Sequence, residues 1–535
     1  MNGQMMDFPL TITSIFRRAE TFFRAQEVVT RRPDKTITRY RFGDFADRTR
    51  RLLRVLQNLG VQRGDRVATL AWTHAHHLEA YFAVPLAGAV LHTLNLRLHP
   101  DDLAYIINHA EDRVLIVDAS LVPLLERIRP NVKLETVIVI GHDGTVKDAV
   151  DYESAIANAE PATDLPDLDE RAAAAMCYTT GTTGKPKGVV YSHRSIALHS
   201  LAICLPDALG IGECDAVLPA VPMFHANGWG LPYSCAMVGA KLVMPGSHLD
   251  PVSVLELLEG ERVTVAGGVP TIWMSILQTL ESGQRSYDLS ALRHVLVGGS
   301  APPASLIRAL DKHGIKVLHA WGMTETSPLG TVARVPAALV NASEEEQYRC
   351  RSKQGRPTPF VEIRAAKVEG LVPWDGQTMG ELEVRGPWVT SGYFKDDGAD
   401  RFTADGWFKT GDIATIDESG TMEIQDRSKD LIKSGGEWIS SVALENCLMG
   451  HPAVAEAAVI AVAHAKWAER PLAVVVLKPG ASATADDLRA FLAPQFPKFW
   501  LPDAFEFIDA IPRTSVGKFL KSALRERYKT YRIEA

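Results

Sequence analysis

The chain has 535 residues, of which 46% are hydrophobic and 23% are charged, and its formal net charge is −7. This length exceeds what one hydrophobic core usually accommodates, so we expect two or more domains. The composition is typical of a soluble globular protein, and the negative charge offers no general attraction for nucleic acid. No apolar run reaches the roughly 18 residues that a membrane-spanning helix needs.

The cysteines have neither the spacing of a metal site nor that of a redox pair. Residues 1–18 lack the apolar core of a signal peptide, and residues 531–535 do not form a peroxisomal or endoplasmic-reticulum address. We therefore expect reduced thiols and a cytoplasmic protein. The six cysteines are Cys177, Cys204, Cys214, Cys235, Cys350 and Cys447.

Strand and helix patterns alternate along most of the chain. An amphipathic segment at 45–60 precedes an apolar run at 66–72, and further Val- and Ile-rich runs lie at 113–119 and 136–142. Such alternation predicts α/β layers with largely parallel sheets.

The pattern changes near the C-terminal third of the chain. Residues 364–426 contain short strands separated by Gly and Asp turns, which predict a small antiparallel or barrel-like β subdomain. Helix and strand patterns then resume over about 105 residues and predict an α+β domain. We expect an N-terminal domain at 1–428 and a mobile C-terminal domain at 429–535. The junction has no Gly/Ser linker, which favours a short hinge.

The strongest chemical motif is YTTGTTGKPKG at 178–188. Glycines let the backbone approach a ligand closely, and the hydroxyls and lysines can surround polyphosphate oxygens. The segment is not a Walker A loop, because Pro186 follows Lys185. A solvated turn is the alternative, but the density of these residue types favours nucleotide binding. The candidate contacts are Thr180, Gly181, Thr182, Thr183, Gly184, Lys185 and Lys187.

This loop resembles the signature of the adenylate-forming superfamily, which includes acyl-CoA synthetases, firefly luciferases and nonribosomal-peptide adenylation domains. Four other segments look most similar to bacterial medium- or long-chain fatty-acyl-CoA synthetases. They lie at 386–394, 431–441, 444–452 and 495–505. Seven motifs follow in the family's order, at 222–233, 266–271, 297–303, 319–328, 407–414, 426–440 and 512–521.

The resemblance implies the groups that act on the acid and on ATP. Glu325 and Thr179 would hold Mg²⁺, for which a carboxylate and a hydroxyl are suitable oxygen ligands. Lys518 would reach across the domain cleft to the carboxylate and the α-phosphate, as a compact charge on a long stem. His225 would line the carboxylate site. Taken alone, Glu325 could equally cap a helix, and a lone lysine is usually a surface group.

The resemblance also implies how the nucleoside is held. Trp321 would stack on adenine beside the backbone of Gly299, and Asp412 would accept both ribose hydroxyls. A core aromatic and a plain Gly-Asp turn are the alternatives. At Ala320 the family commonly has glycine. The further nucleotide contacts implied are His319, Ala320, Thr324, Arg427, Lys429, Lys433 and Trp438.

The remaining implied roles concern the acyl chain and coenzyme A. Ala226, Trp229 and Gly268 would line the acyl site, with Trp229 as a swinging gate or, alternatively, a static core aromatic. Gly435 and Gly436 would let the pantetheine arm pass after the C-terminal domain rotates about Lys429.

The sequence thus predicts a fatty-acid–CoA ligase that uses ATP, Mg²⁺ and coenzyme A, and the resemblance implies a homodimer. The acid stays open, since a short thioether, branched or aryl acid is an alternative substrate. Three other functions also stay open: an adenylation enzyme serving a carrier protein, a luciferase-like oxygenase and a non-catalytic binding protein. We expect neither a nucleic-acid partner nor a transmembrane segment.

Overall fold

The computed structural model describes residues 1, 3–142, 144–179, 185–396, 398–435, 437–513 and 519–533. Several expected site residues lie outside these ranges. They are Thr180, Gly181, Thr182, Thr183, Gly184, Gly436 and Lys518.

The strands are, in chain order, β1 (Glu27–Arg31), β2 (Ile37–Arg41), β3 (Arg66–Leu70), β4 (Val90–Thr93), β5 (Asp112–Asp118), β6 (Thr136–Ile140), β7 (Val150–Asp151), β8 (Ala173–Tyr178), β9 (Gly188–Ser192), β10 (Ala216–Pro219), β11 (Lys241–Met244), β12 (Val265–Gly268), β13 (His294–Val297), β14 (Val317–Gly322), β15 (Leu329–Val332), β16 (Arg356–Pro357), β17 (Glu362–Lys367), β18 (Gly370–Leu371), β19 (Gly380–Arg385), β20 (Phe408–Ile416), β21 (Met422–Arg427), β22 (Ile432–Ser434), β23 (Glu437–Ile439), β24 (Val454–His464), β25 (Ala468–Leu477) and β26 (Ala504–Phe507).

The α-helices are α1 (Ile12–Phe22), α2 (Phe42–Asn58), α3 (Ala75–Leu86), α4 (Pro100–Ala110), α5 (Val122–Ile128), α6 (Tyr152–Asn158), α7 (His193–Cys204), α8 (Leu231–Val238), α9 (Pro251–Gly260), α10 (Pro270–Glu281), α11 (Ala304–Lys312), α12 (Glu344–Ser352), α13 (Ser441–Leu448), α14 (Ala485–Leu492) and α15 (Lys521–Arg527).

Two large sheets form the framework of the described N-terminal residues. One has the strand order β7-β6-β5-β3-β4-β8-β9, and the other β16-β15-β14-β13-β12-β10-β11-β1-β2. Their interior neighbours are parallel, while the β8–β9, β1–β2, β14–β15 and β15–β16 pairs are antiparallel. Parallel strands covered on both faces read as continuous apolar runs, as in TVIVI of β6. The predicted α/β class is therefore confirmed.

Helices cover both faces of each sheet. α1, α2, α3, α7 and α8 lie between the sheets and share one core, whereas α4 and α5 cover one outer face and α9, α10 and α11 the other. No residue of α3 is exposed. Its carboxylate, Glu79, accepts hydrogen bonds from Tyr40, Arg48 and Tyr152, which compensates for burying the charge.

The strands β17 to β21 form a separate antiparallel sheet in the order β18-β17-β19-β20-β21. In this sheet Asp412 of β20 stands directly opposite Arg427 of β21. The last strand of the sheet leads straight into the C-terminal part of the chain, so its end lies at the junction of the two parts.

The C-terminal α+β unit is built on the long antiparallel pair β24–β25, joined by β22, β23 and, in parallel, β26. α13 and α14 pack in the core of one face, and α15 packs in that of the other. α14 begins with a capping box between Thr484 and Asp487, which satisfies free N–H groups at its start. All six cysteines are free thiols. Among the helices described, none is both long and apolar enough to cross a bilayer.

Candidate active site

The β8–β9 hairpin fixes both ends of the Gly/Thr/Lys loop. The N–H of Thr179 donates to the carbonyl of Lys187 at 2.9 Å, and the N–H of Lys187 donates to Thr179 Oγ1 at 3.3 Å. Lys185 Nζ lies 4.8 Å from the centre of the Tyr105 ring, and Lys187 forms an ion pair of 2.8 Å with Asp396. Two ammonium groups thus stand on the C-terminal side of the loop.

Glu325 lies buried in the tight turn after β14. Its Oε1 accepts a hydrogen bond from the Tyr393 hydroxyl at 2.8 Å, and its carbonyl accepts from the Thr390 N–H at 2.7 Å. The hydroxyl of Tyr191, in β9, donates to the carbonyl of Thr324 at 2.8 Å. The turn that carries Glu325 is therefore attached through Tyr191 to the β8–β9 hairpin, whose first strand leads to Thr179.

Tyr393 connects the loop to this carboxylate. Lys187 Nζ lies 4.9 Å from the centre of the Tyr393 ring, a cation–π distance. Burial, and to a smaller extent the charge of Glu325, raises the pKa of the Tyr393 hydroxyl well above its ordinary value. The hydroxyl therefore stays protonated and remains a hydrogen-bond donor. Sequence reasoning did not select Tyr393. The available signal was its place in the family-like segment 386–394.

Asp412 is held by residues from two different sheets. Its side chain is buried, and its Oδ2 accepts the indole N–H of Trp321, in β14, at 2.9 Å. Its Oδ1 accepts from Arg427 Nε at 2.7 Å, and the Arg427 side chain is 45% exposed. The ring expected at adenine and the carboxylate expected at ribose are therefore in direct contact.

The ring of Trp321 packs on bare backbone. A Cβ on Gly330, in β15, would lie 2.5 Å from the ring, so a side chain there would displace it. In the parallel pair β13–β14, Val297 stands beside His319, and a Cβ on Gly298 would lie 3.1 Å from the carbonyl oxygen of Ala320. This register places the glycine-rich loop next to the aromatic strand.

The side chain of His319 takes part in packing. It is buried in β14, and its Nδ1–H donates to the carbonyl of Ser352, in α12, at 3.1 Å. Burial lowers the pKa of His319 to about 4, so the imidazole is neutral at pH 7. Any contact of His319 with a nucleotide in this arrangement would come from its backbone.

The segment after the half-buried His225 forms a left-handed turn. Five consecutive residues have positive φ, with values of 43°, 52°, 59°, 56° and 72°. Left-handed backbone at a residue other than glycine costs on the order of 1–3 kcal/mol, and such strain clusters at functional sites. The last residue must be glycine, because a Cβ on Gly230 would lie 2.6 Å from His199. The five residues are Ala226, Asn227, Gly228, Trp229 and Gly230.

This turn presents the indole of Trp229 to two glycines. The ring is 7% exposed, and a Cβ on Gly267 or on Gly298 would lie 3.8 or 3.3 Å from it, respectively. Gly268 instead faces the other side of the sheet, where its Cβ would lie 3.0 Å from Trp273 Nε1. The structure therefore brings together Trp229, Gly267 and Gly298, and it does not bring Gly268 to the same wall.

The β22–β23 hairpin carries the C-terminal residues of the expected site. Lys433 and Trp438 face each other across it, and the Trp438 ring lies 5.6 Å from Lys367 Nζ in β17. The Gly435 N–H donates to the Trp467 carbonyl at 2.9 Å, and a Cβ on Gly435 would lie 2.7 Å from the Trp467 ring. The Lys429 side chain is exposed at the junction.

Comparison with known proteins identifies the family of the chain. The model of the AMP-binding enzyme family matches residues 17–394, and that of the AMP-binding enzyme C-terminal domain matches 443–518. The chain is 51% identical to a long-chain-fatty-acid–CoA ligase of Thermus thermophilus, covering 98% of this chain and 97% of the relative. It is 44% identical to a medium-chain-fatty-acid–CoA ligase of Ectopseudomonas oleovorans (99% and 98% covered) and to a 3-methylmercaptopropionyl-CoA ligase of Ruegeria pomeroyi (99% of both).

Solved structures agree with this assignment. The anthranilate CoA ligase AuaEII in complex with anthranoyl-AMP superposes with a TM-score of 0.86 at 26% identity, over 97% of this chain and 98% of that one. ATP-bound MatB from Rhodopseudomonas palustris superposes with a TM-score of 0.82 at 28% identity, over 98% and 99%. The predicted resemblance and fold class are confirmed, and the chain belongs to the AMP-binding enzyme family, among its acyl-CoA ligases.

Proposed function

We propose that this ligase acts on a straight-chain fatty acid of medium to long chain length. The main observation in favour is the position of Trp229, whose apolar ring occupies a space bordered by Gly267 and Gly298. That space adjoins the strand of Trp321, so an acyl chain there would lie close to the nucleotide. Each buried methylene contributes about 0.8 kcal/mol, and a deep apolar tunnel therefore rewards longer acids. The long- and medium-chain ligases among the relatives support this choice.

In the first half-reaction, a carboxylate oxygen of the acid attacks the α-phosphorus of ATP and pyrophosphate leaves. Lys518 neutralises charge on the carboxylate and the α-phosphate, and His225 lines the carboxylate site. In the second, the thiol sulfur of coenzyme A attacks the acyl carbon, AMP leaves and the thiol proton is released. Both steps require charge stabilisation more than covalent participation of the protein.

The contact between Trp321 and Asp412 supports the nucleotide roles in this proposal. Trp321 stacks on adenine opposite the Gly299 backbone, and Asp412 accepts from the ribose hydroxyls with Arg427 beside it. The contacts to the phosphates come from the Gly/Thr/Lys loop. The remaining nucleotide contacts in this proposal are Thr180, Gly181, Thr182, Thr183, Gly184, Lys185, Lys187, His319, Ala320, Thr324, Lys429, Lys433 and Trp438.

Glu325 and Thr179 fit a Mg²⁺ site. One oxygen of Glu325 is used by Tyr393, which orients the carboxylate and leaves the other oxygen for a ligand. Within the described ranges, no group of three His, Cys, Asp or Glu side chains could hold a metal. A cation bound by Glu325 and Thr179 would therefore complete its shell with ATP oxygens and water. When bound, it neutralises phosphate charge.

We also propose that residues 1–428, including the β subdomain at 364–426, form the ATP- and acyl-binding domain. Residues 429–535 then rotate about Lys429 between the half-reactions and bring Gly435 and Gly436 to the pantetheine path. A cytoplasmic homodimer is the assembly that we propose.

A pyrophosphate-release assay tests the proposal, with straight-chain acids from butyrate to palmitate, 3-methylmercaptopropionate and benzoate, each with and without coenzyme A. We expect acid-dependent pyrophosphate release and CoA-dependent thioester formation, with kcat/KM rising from butyrate to longer acids. The thioether acid is the second candidate, because the identity to a 3-methylmercaptopropionyl-CoA ligase is also 44%. A maximum at that acid or at benzoate contradicts the fatty-acid proposal, and absence of any release contradicts ligase activity.

A further inference from the structure

A buried carboxylate joins the β subdomain to the C-terminal unit. Asp426, in β21, is 1% exposed. Its Oδ2 accepts from the N–H and the hydroxyl of Ser441, the first residue of α13, at 2.7 and 2.5 Å. Its Oδ1 accepts from the backbone N–H of Arg427 at 2.8 Å. Burial raises the pKa of Asp426, and the groups that oppose this shift, Lys521 and Ser441, come mainly from across the domain junction.

Lys521 extends this contact to the last helix. It is the first residue of α15, and its Nζ donates to Ser441 Oγ at 2.6 Å and to Glu445 Oε1 at 2.7 Å. The Ser441 hydroxyl therefore accepts from an ammonium group and donates to the Asp426 carboxylate. We call Asp426, Ser441 and Lys521 the junction latch.

Charge balance favours the latch. Burial alone would lower the pKa of Lys521, but the carboxylates of Glu445 and Asp426 outweigh it and raise that pKa, so the ammonium stays charged. Glu445 also accepts the Val459 N–H at 2.7 Å, which keeps it within the C-terminal unit. Charge-assisted hydrogen bonds of this kind are stronger than neutral ones.

The members of the latch belong to different sides of the junction. Ser441 and Lys521 lie after Lys429, whereas Asp426 lies before it in the β subdomain sheet. Rotation about Lys429 would therefore separate Asp426 from Ser441 and leave the contact between Ser441 and Lys521 intact. The latch exists in the orientation of the C-terminal unit described here. It is lost when that unit rotates far from this orientation.

The position of the latch relates it to the adenylate site. Arg427, next to Asp426, forms the ion pair with Asp412, and Lys521 follows Lys518 by three residues in the sequence. We propose that Asp426, Ser441 and Lys521 are positioning residues for adenylate formation, which hold the start of α15 against the nucleotide end of β21. This inference rests on the proposed function of the chain as a two-step ligase.

The first test compares the two half-reactions in the full-length protein. Ser441→Ala should lower acid-dependent ATP–pyrophosphate exchange about tenfold, because it removes the hydroxyl between two charges. Formation of acyl-CoA from supplied acyl-AMP should stay within about twofold of wild type. Lys521→Met should reduce exchange further, and Lys521→Arg should restore part of it. Lys529→Met, at an exposed lysine after α15, is the matched control and should change neither pyrophosphate exchange nor acyl-CoA formation.

The second test needs no activity. Lys429 has an exposed side chain at the junction, and loss of the latch should make trypsin cleave there several-fold faster in Ser441→Ala than in wild type. Thermal unfolding checks that each variant is folded. If Lys521→Met is unfolded, the result for Ser441→Ala alone tests the latch proposal.

If the variants slow both half-reactions equally, the latch proposal is wrong. It is also wrong if Ser441→Ala changes neither the ratio of the two half-reaction rates nor the rate of tryptic cleavage at Lys429. In both cases wild-type activity still supports the proposed ligase function. An inactive wild type overturns the proposed function, and the cleavage rates then still decide whether the latch holds the junction.

Discussion

Trp321 and Asp412 are joined by a hydrogen bond of 2.9 Å between indole Nε1 and Oδ2, although they lie 91 positions apart in the chain. Asp412 also pairs with Arg427. The two groups proposed for adenine and ribose therefore form one unit, because these contacts fix their positions relative to each other.

Replacing Trp321 by Phe should weaken ATP binding. Phenylalanine keeps an aromatic face but removes the donor to Asp412, and a hydrogen bond to a charged group contributes about 1.5–3 kcal/mol. We expect the KM for ATP to rise about tenfold or more, with a smaller change in the KM for the acid. Steady-state kinetics with each substrate varied in turn measures this. Trp374→Phe, at a half-exposed tryptophan of the β subdomain, is the control, and an equal effect there would contradict the role of Trp321.

Gly330→Ala should produce a related defect. The new Cβ would lie 2.5 Å from the Trp321 ring, so the ring must move and its contact with Asp412 must lengthen. We expect a raised KM for ATP and a lower melting temperature. Gly212→Ala is the matched control, because a Cβ there meets no atom within 4 Å. If Gly330→Ala binds ATP as wild type does, the Trp321 position is not essential.

Trp229→Ala should broaden acyl-chain selectivity. Removing the ring opens the space beside Gly267 and Gly298, so discrimination between chain lengths should fall while the ATP requirement persists. The measurement is kcat/KM across straight-chain acids for both proteins. A length profile identical to that of wild type would show that Trp229 is a static part of the wall.

Lys518→Ala should separate the half-reactions. We expect adenylate formation to fall about 100-fold or more, because a preorganised charge is lost at the transition state. Thioester formation from supplied acyl-AMP should continue. Pyrophosphate exchange and single-turnover thioester assays report the two steps, and an equal loss in both would refute the assignment. Gly436→Leu provides the converse comparison, since a bulky side chain should block the thioester step alone.

His319 should make the folded protein less stable in mild acid. Burial lowers its pKa to about 4 from an ordinary value of 6.5. Between these values the unfolded chain binds a proton that the folded protein does not, so stability falls as pH decreases from 6.5 towards 4. His319→Gln should reduce the slope of stability against pH by up to one proton equivalent. Urea unfolding at pH 7, 6 and 5 measures the slope, and an unchanged slope would contradict the neutral buried state.

The sequence alone determined those features of the protein that depend on local residue patterns. Alternating apolar runs indicate parallel sheets because buried strands and their covering helices leave that signature in order along the chain. The loop at 178–188 indicates polyphosphate binding because its residue types act through local backbone and side-chain groups. The order of further motifs indicated the family, which the comparisons confirm.

Only the tertiary structure decided which distant groups meet. Tyr393 joins Glu325 across 68 positions, and Lys521 reaches Ser441 across 80, and no local pattern specifies such pairs. Neighbouring residues of a strand face opposite sides of its sheet. Register therefore placed Gly267 against Trp229 and turned Gly268 towards Trp273. The sequence motif contains two adjacent glycines, and the pleat and packing of β12 determine which of them faces Trp229.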